Sequence, residues 1–313
     1  MDNLVFSLNA TVPIFLMMIL GLFFNKMDEE FANKMNKFVF RIPLPVLLFG
    51  DLAVVDIKEA WDTKFVIFCF IITLISITIA IGISCLLKDR SIQGEFIQGA
   101  YRSSAALLGI AFIQNIYGSS AMGPLMIVSA VPLYNIFSVI VLTFEANDST
   151  GIDKKAKIRQ AGINICKNPI ILSILAGLIV GLLGIQFPTL VNKTVSNVAQ
   201  MATPLALITI GAGFEGRKAL AKIAPTMAAS MIKLVLQPLV FLPVAAWMGF
   251  SGEKMIAILI MLASPTTPSC YIMAKSMNND EVLTASVIVT TTLMAAFTLT
   301  GWIFLLKTLG YIG

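Results

Sequence analysis

The sequence predicts an all-α polytopic membrane protein: ten transmembrane helices, arranged as two five-helix repeats of opposite orientation. Three observations predict it. Of the 313 residues, 58% are hydrophobic and 12% charged, with mean hydropathy +0.89. A soluble domain cannot bury that much apolar surface. The apolar residues gather into runs of roughly 18–25, enough to cross a bilayer as helices. Short motifs in the first half return in the second at a nearly constant offset.

Taken in order, the predicted spans are 5–24, 36–55, 65–87, 96–116, 122–144, 169–186, 196–214, 224–249, 255–274 and 283–306. The first opens on MDNLVFSLNATVPIFLMMILGLFF, without a basic leading stretch or a small-x-small cleavage site. It reads as a retained helix rather than a signal peptide. Polar, charged stretches separate the spans. Fifteen basic residues fall on the odd-numbered connections, among them Lys34, Lys37, Arg41, Lys88, Arg90 and Arg217; five fall on the other face, namely Lys58, Lys64, Lys193, Lys254 and Lys307. That bias places the odd connections in the cytoplasm and both termini outside, in a multi-pass protein of the cell membrane, plasma or inner. It also accounts for the pI near 9.0 without nucleic acid as a partner. The lipid bilayer is the expected surrounding.

Between spans five and six lies EANDSTGIDKKAKIRQAGINICKN, polar and basic. It divides the chain into a first repeat (1–147), a cytoplasmic basic linker (148–167) and a second, inverted repeat (168–313). The linker reads either as a solvated connection or as a basic segment lying on the inner leaflet.

The repeat rests on three matches. Asn33-Lys34…Pro45 returns as Asn192-Lys193…Pro204, Pro13-Ile14…Gly21-Leu22 as Pro169-Ile170…Gly177-Leu178, and Gly94-Glu95 as Gly252-Glu253. The offsets are 159, 156 and 158 residues. Each half has an odd number of spans, so the second copy runs upside down, as in secondary transporters.

Span nine carries LASPTTPSCY, residues 262–271. Two prolines at mid-membrane each remove an amide donor and clash with the preceding turn. Freed main-chain groups are costly in hydrocarbon unless they line a cavity or find partners. Pro265, Thr266, Thr267, Pro268 and Ser269 therefore read as an unwound crossing, with a simple kink as the alternative. Under the repeat Ser264–Ser269 corresponds to Ala106–Ala111 of span four, with Ser103 and Ser104 just before; unwinding there is inferred by symmetry and from Ser103, Ser104 and Gly109. A broken helix exposes a half-helix N-terminus with orphan amides, which suits a carboxylate. Arg102 and Lys233 are cations inside spans. Two readings stand for each: attraction of an anion, or a stem that snorkels to the interface. Asn135 of span five lines the site or hydrogen-bonds a neighbouring helix.

Other chemistries find little support. The chain has no histidine, and its four cysteines show no CxxC spacing; no metal and no cofactor is expected. Gly211-Ala212-Gly213-Phe214-Glu215-Gly216 fits GxGxxG in letters but ends a membrane helix and lacks the strand–turn–helix setting. An enzyme would need poised ionisable groups within the spans, and no paired carboxylates are found there; a channel expects a continuous polar lining, whereas polarity here concentrates at one crossing. Asp51, Asp62, Glu95 and Glu215 sit at helix ends and read as interfacial charges, with proton carriage as the alternative.

These residues resemble the auxin efflux carrier family, which includes bacterial organic-acid permeases and the plant PIN-formed carriers. The resemblance covers essentially the whole chain. It is carried by Pro265…Ala274-Lys275 in span nine and by Ser104…Gly109-Ile110-Ala111…Tyr117-Gly118 in span four. Ser104 stands where the family has its substrate-contacting Asn, and Ala111 where it has its crossover Pro. The resemblance implies a fold similar to sodium/proton antiporters and bile acid symporters. It implies a scaffold and homodimer interface from spans one, two, six and seven, with the dimer contact through spans two and seven. Spans three to five and eight to ten would move as an elevator. Ser104, Asn135 and the span-nine break would line the site, faced by Leu44–Pro45. The expected function is secondary transport of a small organic anion, a carboxylate such as malate, malonate or an auxin-like acid. The alternative is a sodium-coupled transporter like the bile acid symporters, or a channel or receptor.

Overall fold

A computed structural model describes residues 2–27, 30–53, 61–105, 113, 117, 122–145, 162–163 and 165–312. The linker 148–167 lies largely outside the described residues, as do Gly109 and Ala111 of span four. Among the described residues every regular element is helical.

The helices run in chain order: α1 (Asp2–Met27), α2 (Phe31–Arg41), α3 (Pro43–Ala53), α4 (Thr63–Ser84), α5 (Gln93–Tyr101), α6 (Met122–Glu145), α7 (Pro169–Leu183), α8 (Thr189–Ala212), α9 (Gly216–Ala221), α10 (Ile223–Met231), α11 (Gln237–Trp247), α12 (Gly252–Ala263), α13 (Ser269–Ser276) and α14 (Glu281–Thr308). Five helical stretches among the described residues are long and apolar enough to cross a membrane: α4, α6, α8, the continuous 223–247 stretch and α14. Val12–Phe24 of α1 and α7 are shorter apolar helices.

Helix ends follow local chemistry. The Asp62 carboxylate accepts the Phe65 amide at 3.0 Å and opens α4. Asn168 accepts the Ile170 amide at 2.9 Å, with Pro169 pre-set for the first turn of α7, and Gly184 closes that helix at φ 65°. Asp280 accepts the Leu283 amide at 2.9 Å to open α14.

Three elements depart from their expected bounds. The second span is two helices, broken at Ile42 (φ −125°, ψ −74°) ahead of Pro43; the residue before a proline avoids the helical region. Helix α8 starts at Thr189 rather than 196, directly after Pro188. Asn192, Lys193, Thr194 and Ser196 hide that start from hydropathy although their main chain is helical. The eighth span widens into a π segment, Ile232–Leu236, where the Gln237 amide bonds the Ile232 carbonyl. Pro238 has no amide for the Leu234 carbonyl, and the Trp302 indole donates to that oxygen instead, at 3.0 Å.

The buried centre is α12 and α13. Met255 to Ala263 and Cys270 to Ala274 are at most 2% exposed. By contrast α7 exposes Leu175, Ile179, Leu182 and Leu183, and α14 exposes Phe297 and Phe304. A molecule whose outer helix α7 is more apolar than the helices buried at its centre is solvated by lipid rather than water.

Candidate functional site

Two helices stop at the centre of the molecule and their ends cross. Helix α5 ends at Tyr101, and Arg102 is extended (φ −69°, ψ 141°). Helix α12 ends at Ala263, and Ser264 is extended too (φ −72°, ψ 156°). The Ser104 amide donates to the Pro265 carbonyl at 2.9 Å, and the Ser103 and Ser264 hydroxyls lie 2.7 Å apart. The Thr266 amide donates to Thr291 Oγ1 at 3.1 Å, and its hydroxyl to the Gly99 carbonyl at 2.8 Å. Main-chain groups released by the break thus find protein partners, as the membrane interior requires.

The α13 N-terminus differs from its expected form. The Cys270 amide bonds the Thr267 carbonyl at 3.0 Å and the Tyr271 amide bonds the Pro268 carbonyl at 3.1 Å. The tight turn that Pro268 starts consumes those two donors locally. Full positive charge at the crossing comes from a side chain.

That side chain is Arg102, 2% exposed. Its guanidinium donates to Asn135 Oδ1 at 2.8 Å, Ser269 Oγ at 2.7 Å and the Met273 thioether at 2.9 Å. All three acceptors are neutral, and the thioether is a weak one. Its Nε is buried without a hydrogen-bond partner among the described residues. Asn135 is oriented from behind, its amide donating to the Val131 carbonyl at 2.9 Å, so it lines the site and aims the guanidinium together. Lys233 is fully buried. Snorkelling therefore describes neither cation.

Beside the crossing opens a cavity of about 70 Å³. Of the residues expected from sequence, Leu44, Arg102, Ser103, Ser104, Asn135, Thr267, Pro268 and Ser269 line it; Pro265, Thr266 and Lys233 do not. Thr266 is turned away by its bond to Gly99. The cavity also has Asp51, Tyr134 and Thr203 on its wall, which sequence reasoning missed. Tyr134 precedes Asn135 in VPLYNIF, and Asp51 reads from sequence as an interfacial acid. Asp51, Leu47 and Thr203 are shared with an adjoining cavity of about 760 Å³ between α3 and α8. On the far side of the crossing, Asn36 of α2 donates to Ser276 Oγ of α13 at 2.8 Å.

The GxGxxG look-alike has a packing role. A Cβ on Gly211 would lie 1.9 Å from the Met18 carbonyl oxygen, and one on Gly213 would lie 2.1 Å from the Tyr271 hydroxyl. Both glycines admit close neighbours. Among the described residues no three His, Cys, Asp or Glu side chains converge on a metal-sized site.

A family model described as "Membrane transport protein" matches residues 6–303. The chain belongs to the auxin efflux carrier family. It is a membrane transporter of that family. It is 24% identical over 293 residues to "Uncharacterized transporter YfdV" of Escherichia coli (strain K12), covering 88% of this chain and 90% of the relative. It is 22% identical over 307 residues to a protein named "Putative malonate transporter" from Rhizobium meliloti (strain 1021), covering 95% and 94%.

Proposed function

We propose that this transporter carries a small organic anion, a carboxylate of the malonate or malate size class or an auxin-like acid, across the cell membrane. The observation that carries the reading is Arg102. Among the described residues, a guanidinium buried at the crossing of two interrupted helices has only neutral acceptors and one unpartnered N–H. Leaving a buried charge without a counter-charge is costly. A carboxylate in the adjoining cavity would supply that counter-charge through charge-assisted hydrogen bonds. The name of the Rhizobium relative points to the same substrate class.

The mechanism that fits is elevator-type alternating access by two inverted repeats. Two pairs of contacts support the repeat. Glu95 accepts the Asp280 amide, and Glu253 accepts the Met122 amide at 2.7 Å; 95 to 253 and 122 to 280 are both shifts of 158. Gly21 packs on the Ile208 carbonyl of α8, and Gly177 packs on the Phe49 carbonyl of α3. These partners exchange under shifts of 156 and 159. In this reading α1–α3, α7 and α8 form the scaffold and dimerise through the second and seventh spans, with both termini outside. The 760 Å³ cavity is the route from outside, and the Asn36–Ser276 contact closes the cytoplasmic side.

The test is thermal unfolding of the purified protein with malonate, malate, an aromatic monocarboxylate and their neutral amides, since a ligand of the native state raises the melting temperature with its concentration. A carboxylate should stabilise and its amide should not, with the effect weakened in Ser104→Ala and Thr267→Val. Equal stabilisation by acid and amide would defeat the anion reading.

A further inference from the structure

The other buried cation does not face the cavity. Lys233 sits on the π segment of the eighth span, and its Nζ lies 2.7 Å from the Leu262 carbonyl oxygen, 3.2 Å from Met261 O and 3.4 Å from Tyr101 O. Met261 and Leu262 belong to the last turn of α12, and Tyr101 is the last residue of α5. Both half-helices thus direct their C-terminal carbonyls, the negative ends of their dipoles, at one nitrogen. An ammonium has three protons and no acceptor site, which matches three oxygens. No carboxylate pairs with Lys233 among the described residues.

A cluster of main-chain oxygens at the ends of interrupted helices is also what holds an alkali cation in transporters built this way. Hard cations take such oxygens as ligands. We infer that the Lys233 ammonium is a resident cation on the oxygen site where α5 and α12 end, and that it excludes an alkali cation from that site. The π segment is the device that delivers it. Its widened turn also aims Gln237, whose amide donates to the Ala100 carbonyl at 2.8 Å. Four terminal carbonyls of the crossing are therefore satisfied from the eighth span. The charge of Lys233 travels with the crossing through every cycle, whereas a bound ion would have to enter and leave.

The inference rests on the crossing being the transport site, and its test is separable from the anion test. Thermal unfolding is measured in choline, lithium, sodium and potassium chlorides at constant ionic strength, for the wild type and for Lys233→Ala. The wild type should melt at one temperature in all four salts. Lys233→Ala should melt lower and recover by roughly 3 °C or more, saturably, with sodium or with propylammonium, which restores the deleted amine. If the alanine variant does not purify, Lys233→Met keeps the stem volume and takes its place. If neither purifies, the wild-type series decides. A saturable, sodium-specific rise in the wild type overturns the inference, and so does a Lys233→Ala protein that melts like the wild type and responds to no cation. Carboxylate binding measured in choline alone reports on the anion reading whatever the outcome at Lys233.

Discussion

The Ser103 and Ser264 hydroxyls meet at 2.7 Å, each at the point where its helix gives up α geometry. Ser103 also reaches the Ile260 carbonyl at 3.3 Å. The pair ties the loose end of α5 to that of α12, beside the main-chain bond from Ser104 to Pro265. Ser103→Ala leaves the buried Ser264 hydroxyl without its partner, at about 1–3 kcal/mol; Ser264→Ala should cost less, because the Ser103 hydroxyl keeps the Ile260 carbonyl. The double alanine variant removes both ends of the bond and should cost less than the two single changes summed. A double-mutant cycle on thermal or denaturant unfolding reads that coupling. Strict additivity would mean that the two hydroxyls do not support each other.

On the proposed reading Arg102 offers charge to an anionic substrate, so its removal should act on binding and on charge selectivity together. Arg102→Gln keeps polar reach toward Asn135 and Ser269 but loses the charge. Carboxylate affinity should fall by about two orders of magnitude, the ~2–3 kcal/mol of a hydrogen bond to a charged group. Discrimination against the neutral amide should vanish with it. Arg102→Lys should keep part of the affinity and lose the preference for planar carboxylates, because an ammonium lacks the fork geometry. Titration calorimetry on the folded variants separates these outcomes.

Asp51 stands on the wall of the same cavity and pairs with no cation among the described residues. When ionised, Asp51 repels an entering anion. Asp51→Asn should tighten carboxylate binding by about fivefold, ~1 kcal/mol of relieved repulsion, and leave binding of a neutral isostere unchanged. Weaker binding in Asp51→Asn would show that the carboxylate engages the substrate instead of opposing it.

How far the sequence reached can be told residue by residue. The PTTP interruption was legible because two prolines leave the helix no donors at 265 and 268, whatever surrounds them. The lining by Ser103, Ser104 and Asn135 was legible because polar side chains are rare in apolar spans. The π segment was not, since Pro238 resembles many helical prolines until Trp302 is seen reaching the Leu234 carbonyl from another helix. Asp51 looked like a helix-end charge because linear distance to the boundary says nothing of the face it occupies. Two of the amides expected free at α13, those of Cys270 and Tyr271, bond locally, which the prolines alone do not announce.

The glycines that frame the outer helices give a prediction independent of the site. Gly21 and Gly211 lie in the facing helices α1 and α8, where a Cβ would approach a main-chain oxygen of the partner to 2.0 and 1.9 Å. Main chain cannot swing aside as a long side chain can, so the two helices must separate. Gly211→Ala should cost roughly 1–3 kcal/mol, the usual range for forcing extra volume into a packed contact, and Gly21→Ala the same. Because both insert volume into one interface, the double variant should cost less than the sum, since the first separation makes room for the second. Gly82 in α4 is the control. Nothing lies within 4 Å of its added Cβ, so Gly82→Ala should be neutral or stabilising by up to ~1 kcal/mol from helix propensity. Unfolding in detergent or bicelles reads all four variants. A neutral Gly211→Ala would mean that α1 and α8 do not touch main chain to main chain in the membrane.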